Sequence, residues 1–415
     1  MIVGRSFSWS AQHSTARTLQ AIVVIWTFGA TLARSVRAPN GFAEAHWLLD
    51  YRFGFMKRGL VGSLCGGAAD LLGARMTESV ILLLSVVTTA TLSVAVILLL
   101  FRMLSLHGWG DEAVVTLLVL VSSPFIVMSG HLVGYFDALL FLSVLASVIL
   151  VRRRLWNAAA AVSIGALLTH ESYALTGLPL VWLAAAICAR ESGTTWRPAL
   201  VLVGAPLLVF ASIPVVQGLT TEPALLRAQL TQHLDGFGFL GDRGYLVALW
   251  QTTPFTESLR EYGGRADDRV MDPAVIAAVA PTLLTLLLLI HSSFRIRPFG
   301  PWSTVLLAAV CAPLAIHAVA WDTARIWTYT IASATIVLWI LSEACRPRPA
   351  SALILLAAVP ALVLNAFADV PLMDNEPDRF GNVTRLLLYL PAFALTAAAA
   401  WSTSPKVLSR RPLAE

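Results

Sequence analysis

The run ESVILLLSVVTTATLSVAVILLLF, residues 78–101, opens on one acid and then carries no charge at positions 79–101. A helix rises 1.5 Å per residue, so about 20 apolar residues cross the roughly 30 Å hydrocarbon core of a bilayer. The run is continuously apolar, without the period-2 alternation of a membrane strand, and similar runs fill the chain on either side of it. Of all residues 57% are hydrophobic and only 13% charged, against roughly 25% charged in an ordinary soluble domain. The pattern therefore predicts an all-α, polytopic integral membrane protein forming one transmembrane domain over 1–415. About twelve transmembrane helices are expected, at 18–35, 78–101, 113–130, 134–151, 155–171, 172–189, 198–216, 273–291, 303–320, 326–342, 350–368 and 384–402.

The short loops set the orientation. One set holds Arg102, then Arg152 to Arg154, Arg190 and Arg197, Arg295 and Arg297, and Arg346 and Arg348, and the tail adds Lys406, Arg410 and Arg411. The alternate short loops, around Val133, His170 and Asp322, hold Arg325 alone. Positive charge in short loops stays inside, so both termini are expected in the cytoplasm of a multi-pass cell-membrane protein. Three longer outer loops follow, at 36–77, 217–272 and 369–383. In the second, Leu226, Leu230 and Leu234 recur at helical spacing, which predicts an amphipathic helix over Glu222–Leu234 lying on the membrane surface. Gly236, Gly238, Gly241 and Gly244 then mark a turn-rich segment.

Other readings fall away. The net charge of +5 is scattered between apolar runs, which argues against a nucleic-acid partner. Cys65, Cys188, Cys311 and Cys345 lie far apart with no CxxC spacing, so no metal knuckle or disulfide framework is indicated. The first apolar run, Ala21–Ala33, lacks a small-residue cleavage pattern and reads as an uncleaved span. No Asp, Glu, Lys or Arg falls in the middle of a span, and only His317 lies clearly inside one. Ion-coupled transporters place ionisable groups near the midplane, so a transporter finds little chemistry here.

The outer mouth is different. Trp47–Gly62, WLLDYRFGFMKRGLVG, gathers Asp50, Arg52, Lys57 and Arg58 among aromatics. GHLVGYFD supplies His131, Tyr135 and Asp137; the next outer turn supplies His170 and Glu171; WDTAR supplies Trp321, Asp322 and Arg325. Each has a plainer structural reading beside the functional one. Asp50 is also a helix cap or a partner of Arg52 or Lys57, and Asp137 a cap of the fourth span. Lys57 and Arg58 suit lipid headgroups; His170 and Glu171 suit a structural hydrogen bond; Asp322 and Arg325 suit an i,i+3 pair.

This arrangement resembles the GT-C class of membrane glycosyltransferases, which take a sugar from a polyprenyl-phosphate carrier on the outer face. The resemblance rests on a cytoplasmic start, a long first outer loop with an acid soon after span one (Asp50), and a second acid between spans three and four (Asp137). A further long outer loop, 217–272, follows span seven. It is a likeness of topology plus two acids, and Asp50 is followed by Tyr51 and Arg52 where such enzymes often carry a DxD-like pair. It implies transfer from a polyprenyl-phosphate-linked sugar to a glycan or lipid acceptor of the cell envelope, at the outer face of a bacterial inner membrane. Such transfer needs a carboxylate to deprotonate the attacking hydroxyl and fixed cations to stabilise the departing phosphate. On that reading Asp50 is the catalytic base and Asp137 a catalytic helper that orients the acceptor. Arg52, Lys57, Arg58 and Arg325 hold phosphate, Trp321 or Tyr135 stacks on a sugar ring, and His131, His170, Glu171 and Asp322 complete the substrate-binding set. No cofactor or metal ligand set is indicated, and a divalent metal stays open. Loop arginines Arg227, Arg243, Arg260, Arg265 and Arg269 also fit a polysaccharide polymerase or ligase, His170 fits an acyltransferase, and a non-enzymatic lipid or glycan transporter is the third alternative.

Overall fold

The computed structural model describes residues 11–193, 197–220, 222–253, 257, 260, 272–297, 299–320, 322–345, 347, 353–368 and 379–403. Among them the chain is helical and holds no strand. The helices are α1 Ala11–Ser35, α2 Gly41–His46, α3 Gly59–Leu71, α4 Glu78–Leu106, α5 Asp111–Val121, α6 Pro124–His131, α7 Asp137–Arg152, α8 Trp156–Thr169 and α9 Tyr173–Thr176. They continue as α10 Leu178–Ser192, α11 Arg197–Thr220, α12 Pro223–Asp235, α13 Arg243–Thr252, α14 Pro273–Phe294, α15 Pro301–Cys311, α16 Thr323–Ala344, α17 Leu353–Phe367 and α18 Asn382–Thr403. Short 3-10 turns occupy Tyr51–Phe53, Gly238–Leu240 and Ala312–Ala318.

Nine stretches of the described residues are long and apolar enough to cross a membrane, which makes this a polytopic membrane protein. Two of the twelve expected spans come out shorter: α7 and α8 have 16 and 14 residues, below the roughly 20 that a bilayer asks for; α17 is described over 15 residues, with 350–352 of its expected span outside the described residues. For α7 the cause is local. Gly134 sits at φ +90, and its missing Cβ leaves room for Pro39, Ala43 and Ser85. The helix therefore starts only at Asp137. Pro124, which has no N–H to donate, separates α5 from α6 at the Ser122–Ser123 break.

Burial ranks the helices. The stretch Asp111–His131 is 94% buried and α16 89%, so these form the centre, whereas Leu200–Leu219 of α11 is 17% buried and lies at the rim. Threonines inside the spans return their hydroxyls to the carbonyl four residues back, as Thr27 does to Val23 and Thr335 to Ile331. These hydroxyls are then satisfied within the helix rather than presented to lipid. Two buried arginines, Arg34 and Arg385, lie at the end of α17. Arg34 donates to Asn365 O at 2.5 Å and Ala368 O at 3.2 Å, and Arg385 to Phe367 O at 3.1 Å. Cations there complement the exposed carbonyls and the negative helix end.

The polar residues collect at two ends. At one, Arg102 pairs with Glu343 and Arg152 with Glu191, so these arginines share one end. At the other end, the mouth, α2, α12, α13 and the turn Tyr51–Phe53 form a cap with its own small core, including Trp47, Leu49, Met56, Phe136 and Val247. The helix expected over Glu222–Leu234 is present as α12, and its leucine stripe faces protein. Leu226, Leu230 and Leu234 are fully buried in this second core, because a protein surface lies close enough to cover their stripe.

Candidate functional site

Two arginine–carboxylate pairs lie at the mouth. The first begins where α3 starts. Arg58 precedes that helix in the left-handed conformation, φ 62 and ψ 13, a region that side chains other than glycine enter at some energetic cost. Gly59 follows it, and a Cβ there would lie 2.4 Å from the Tyr51 ring. This backbone aims the Arg58 guanidinium at Glu171 in the α8–α9 turn, with Nε to Oε2 at 3.1 Å and Nη2 to Oε1 at 2.6 Å. Its remaining nitrogen, Nη1, is 3.2 Å from His46 Nε2.

Two imidazoles flank this pair. His46 Nδ1 donates to Phe42 O at 2.6 Å, so its Nε2 is the acceptor for Arg58. Burial, and then the Arg58 charge, lower its pKa to about 3; it stays a neutral acceptor near neutral pH. The backbone N–H of Ser172 donates to His170 Nδ1 at 3.1 Å, which leaves the His170 proton on Nε2. Burial, reinforced by Arg58, holds His170 well below the usual imidazole range. For Glu171 burial works against the carboxylate, but the Arg58 guanidinium, with Lys57 adding to it, outweighs it and holds it well below its usual range. Lys57 lies beside them, its ammonium disfavoured chiefly by burial, and donates one hydrogen bond, to Thr253 O at 3.3 Å.

The second pair joins α16 to α7. Arg325 Nε is 2.9 Å from Asp137 Oδ1, and Nη2 is 2.5 Å from Oδ2. The Tyr329 hydroxyl also donates to Asp137 and accepts from Arg325 Nε. Arg325 lies over the Tyr135 ring at 5.3 Å, and the Tyr135 hydroxyl meets Asn40 at 3.3 Å. Both guanidiniums act electrostatically on His46 and His170, so the two pairs form one charged centre.

Asp322 stands apart from this pattern of satisfied groups. It precedes α16 and makes no side-chain cap. Its Oδ2 is buried without a hydrogen-bond partner among the described residues, and the Arg325 Nη1 charge is 3.6 Å away. Burial raises its pKa to about 6; Arg325 opposes this and the nearby Asp137 carboxylate adds to it.

The remaining expected residues divide. Asp50 is 4% exposed, and both its oxygens are engaged. Oδ1 accepts from the Arg52 backbone at 2.8 Å, capping the turn Tyr51–Phe53, and Oδ2 accepts from Arg52 Nε at 2.6 Å. Arg52 also pairs with Asp70 at 2.9 Å. These contacts tie Asp50 and Arg52 to α3 and give neither a link to Asp137 or Arg325. Asp50 and Arg52 therefore have the cap and ion-pair roles that the sequence offers as their plainer reading. His131 ends α6, half-buried. Trp321, Arg265 and Arg269 lie outside the described residues. Arg227 donates to Thr252 and Arg243 stacks on Phe42, so both hold the mouth cap together.

The structure adds three groups to the centre that sequence reasoning did not select. Tyr329 follows Arg325 by four residues, a same-face spacing that signals it. His46 and Asn40 lie in the first long loop, and nothing in their spacing marks them. No group of three or more His, Cys, Asp or Glu side chains stands at metal-holding distance among the described residues. Compared with known protein families, curated proteins and solved structures, the chain matches none.

Proposed function

We propose that this protein is a membrane glycosyltransferase of GT-C-like architecture, moving a sugar from a polyprenyl-phosphate carrier to a glycan or lipid acceptor. In this reading the chain crosses a bacterial inner membrane twelve times, α7, α8 and α17 included, with both termini in the cytoplasm and the mouth facing out. The observation that carries the reading is Asp322: a partly buried carboxylate whose Oδ2 makes no hydrogen bond among the described residues and meets only the Arg325 Nη1 charge, at 3.6 Å, with a pKa raised to about 6. A general base works best when its pKa lies near the working pH. We assign that role to Asp322 in place of Asp50, whose two oxygens are already occupied.

Asp322 Oδ2 takes the proton of an acceptor hydroxyl. The acceptor oxygen bonds to the anomeric carbon as the bond from that carbon to the phosphate oxygen breaks, and the electron pair departs with the carrier phosphate. Lys57, with unused donors, and Arg325, held in place by Asp137 and Tyr329, face the developing negative charge. Fixed cations in a partly dehydrated site stabilise such charge without reorganising. His46 holds Arg58, and the His170 Nε2 proton is a neutral donor for a sugar or phosphate oxygen.

The test is release of polyprenyl phosphate from a panel of polyprenyl-phosphate sugars by the protein in vesicles, read by mass spectrometry. Release from at least one of them is expected. No release from any of them, by folded protein supplied with extracted envelope glycans and lipids as acceptors, would overturn the reading.

A further inference from the structure

The mouth cap carries an aromatic stack that the charged centre does not use. The Trp250 ring of α13 lies against the Phe42 ring of α2, with centroids 5.1 Å apart and an interplanar angle of 5°. The Arg243 guanidinium lies over the same Phe42 ring, 4.7 Å from its centroid. Arg243 and Trp250 stand seven residues apart on α13, about 10 Å along the axis, so they grip Phe42 from its two faces. A Cβ on Gly41 would lie 2.9 Å from Leu240 O and 3.1 Å from the Arg243 side chain, so a glycine is what lets α2 and α13 close on each other. Ala45 of α2 and Val247 and Ala248 of α13 are buried in the cap core. The stack is therefore fixed from behind.

Exposure and position say what the stack meets. Phe42 takes one face of Trp250, yet the residue remains 39% exposed, which leaves ring surface for a partner. Beside the stack the exposed side chains are Asn40 and Arg243, whereas α11, toward lipid, exposes Leu208, Val215 and Leu219. Along α2, Phe42 precedes His46 by one turn, about 6 Å. Its carbonyl accepts from His46 Nδ1 at 2.6 Å, and His46 reaches Arg58. Asn40, at the start of the same helix, meets the Tyr135 hydroxyl, and Tyr135 lies against Arg325. The stack thus continues the charged centre outward. An aromatic face is electron-rich, which suits the C–H face of a pyranose, while Asn40 and Arg243 offer N–H donors to ring hydroxyls.

We propose that the Trp250–Phe42 stack is a docking platform for a sugar ring, and that the acceptor is a glycan chain. The chain end with the attacking hydroxyl lies at the charged centre, and a ring further back along the chain lies on Trp250. The place of that ring in an acceptor rests on the transfer reading above. Sugar binding at Trp250 does not, and it is measured without any donor, so an absence of transfer leaves this result standing.

The experiment passes oligosaccharides, released by mild acid from extracted envelope glycans, over the immobilised full chain in detergent and identifies the retained species by mass spectrometry. Wild type should retain oligosaccharides of more than one ring. Trp250→Ala should lower that retention about tenfold, the scale of one aromatic contact, and Trp250→Tyr, which keeps a ring, much less. No retention by folded wild type, or equal retention by Trp250→Ala, would overturn the proposal. If Trp250→Ala does not fold, Trp250→Met, which covers Phe42 without a ring, decides by the same measure. An exposed Trp also serves as an anchor at a membrane interface. In vesicles of brominated phosphatidylcholine, the fluorescence that wild type has over Trp250→Tyr should therefore stay unquenched; quenching would give Trp250 to lipid and overturn the proposal.

Discussion

Asp50 is a buried and Asp322 a partly buried acid next to an arginine, and they differ in what is left for a substrate. Asp50 spends both oxygens on hydrogen bonds from Arg52, while Asp322 Oδ2 has only the Arg325 charge, 3.6 Å away. With Asp322 as base, the rate should rise about tenfold per pH unit in acid and level off above about pH 6, where the carboxylate is ionised. A flat profile between pH 5 and 7 would remove it from the mechanism. Arg58→Lys should cost more than a charge-conserving change suggests, because lysine cannot form the two-point contact to Glu171 and reach His46 as well. The sequence made most of these residues visible as polar types clustered between apolar runs. It could not rank them, because rank depends on which carboxylate meets which arginine across 113 and 188 residues of chain.

At the scale of the element, α3 is set by one close contact. A Cβ on Gly62 would lie 2.0 Å from Leu49 O, which is backbone and cannot move aside, whereas Gly67 of the same helix has nothing within 4 Å. Gly62→Ala should therefore misplace α3 together with Arg58, losing several degrees or more of thermal stability. Gly67→Ala should be neutral or gain up to about 1 kcal/mol, as alanine does over glycine in a helix. Comparable unfolding temperatures for the two variants would contradict the packing described. The leucine stripe of α12 teaches a related lesson. Its period predicted a helix correctly, but periodicity reports only that one face is apolar. That Leu226, Leu230 and Leu234 meet Trp47, Leu49 and Val247 instead of lipid depends on a cap built from three distant segments. Leu230→Ala, at 0% exposure, should cost about 2–5 kcal/mol, measured by thermal or denaturant unfolding; a surface-lying helix would lose far less.

For the whole molecule, composition and run length disclosed a polytopic helical membrane protein, because a bilayer leaves few other ways to satisfy the backbone. They placed span ends less well, since turns such as Leu132–Phe136 consume residues that look apolar enough to be helix. Orientation is testable directly: a cysteine probe at Gly236 should react with an impermeant reagent from outside and one at Arg153 should not. The reverse pattern would turn the mouth to the cytoplasm. Acid should loosen the mouth. The folded protein holds His46 at a pKa of about 3 while the unfolded chain titrates near 6.5. The unfolded state thus binds more protons below about pH 6.5, and stability falls as pH drops. Asp322, raised to about 6, works in the opposite sense, so the informative quantity is a difference: His46→Gln should lose less stability than wild type between pH 7 and 5. Equal losses would mean that His46 is not held neutral. The central claim is that Asp322, and not Asp50, removes the acceptor proton, and it is tested by the rate of polyprenyl-phosphate release from matched vesicles of Asp322→Asn and Asp50→Asn. Asp322→Asn should be slower than wild type by about 10²–10⁴ with unchanged thermal stability, while Asp50→Asn, which keeps the cap, should stay within a few-fold; the opposite order would contradict the account.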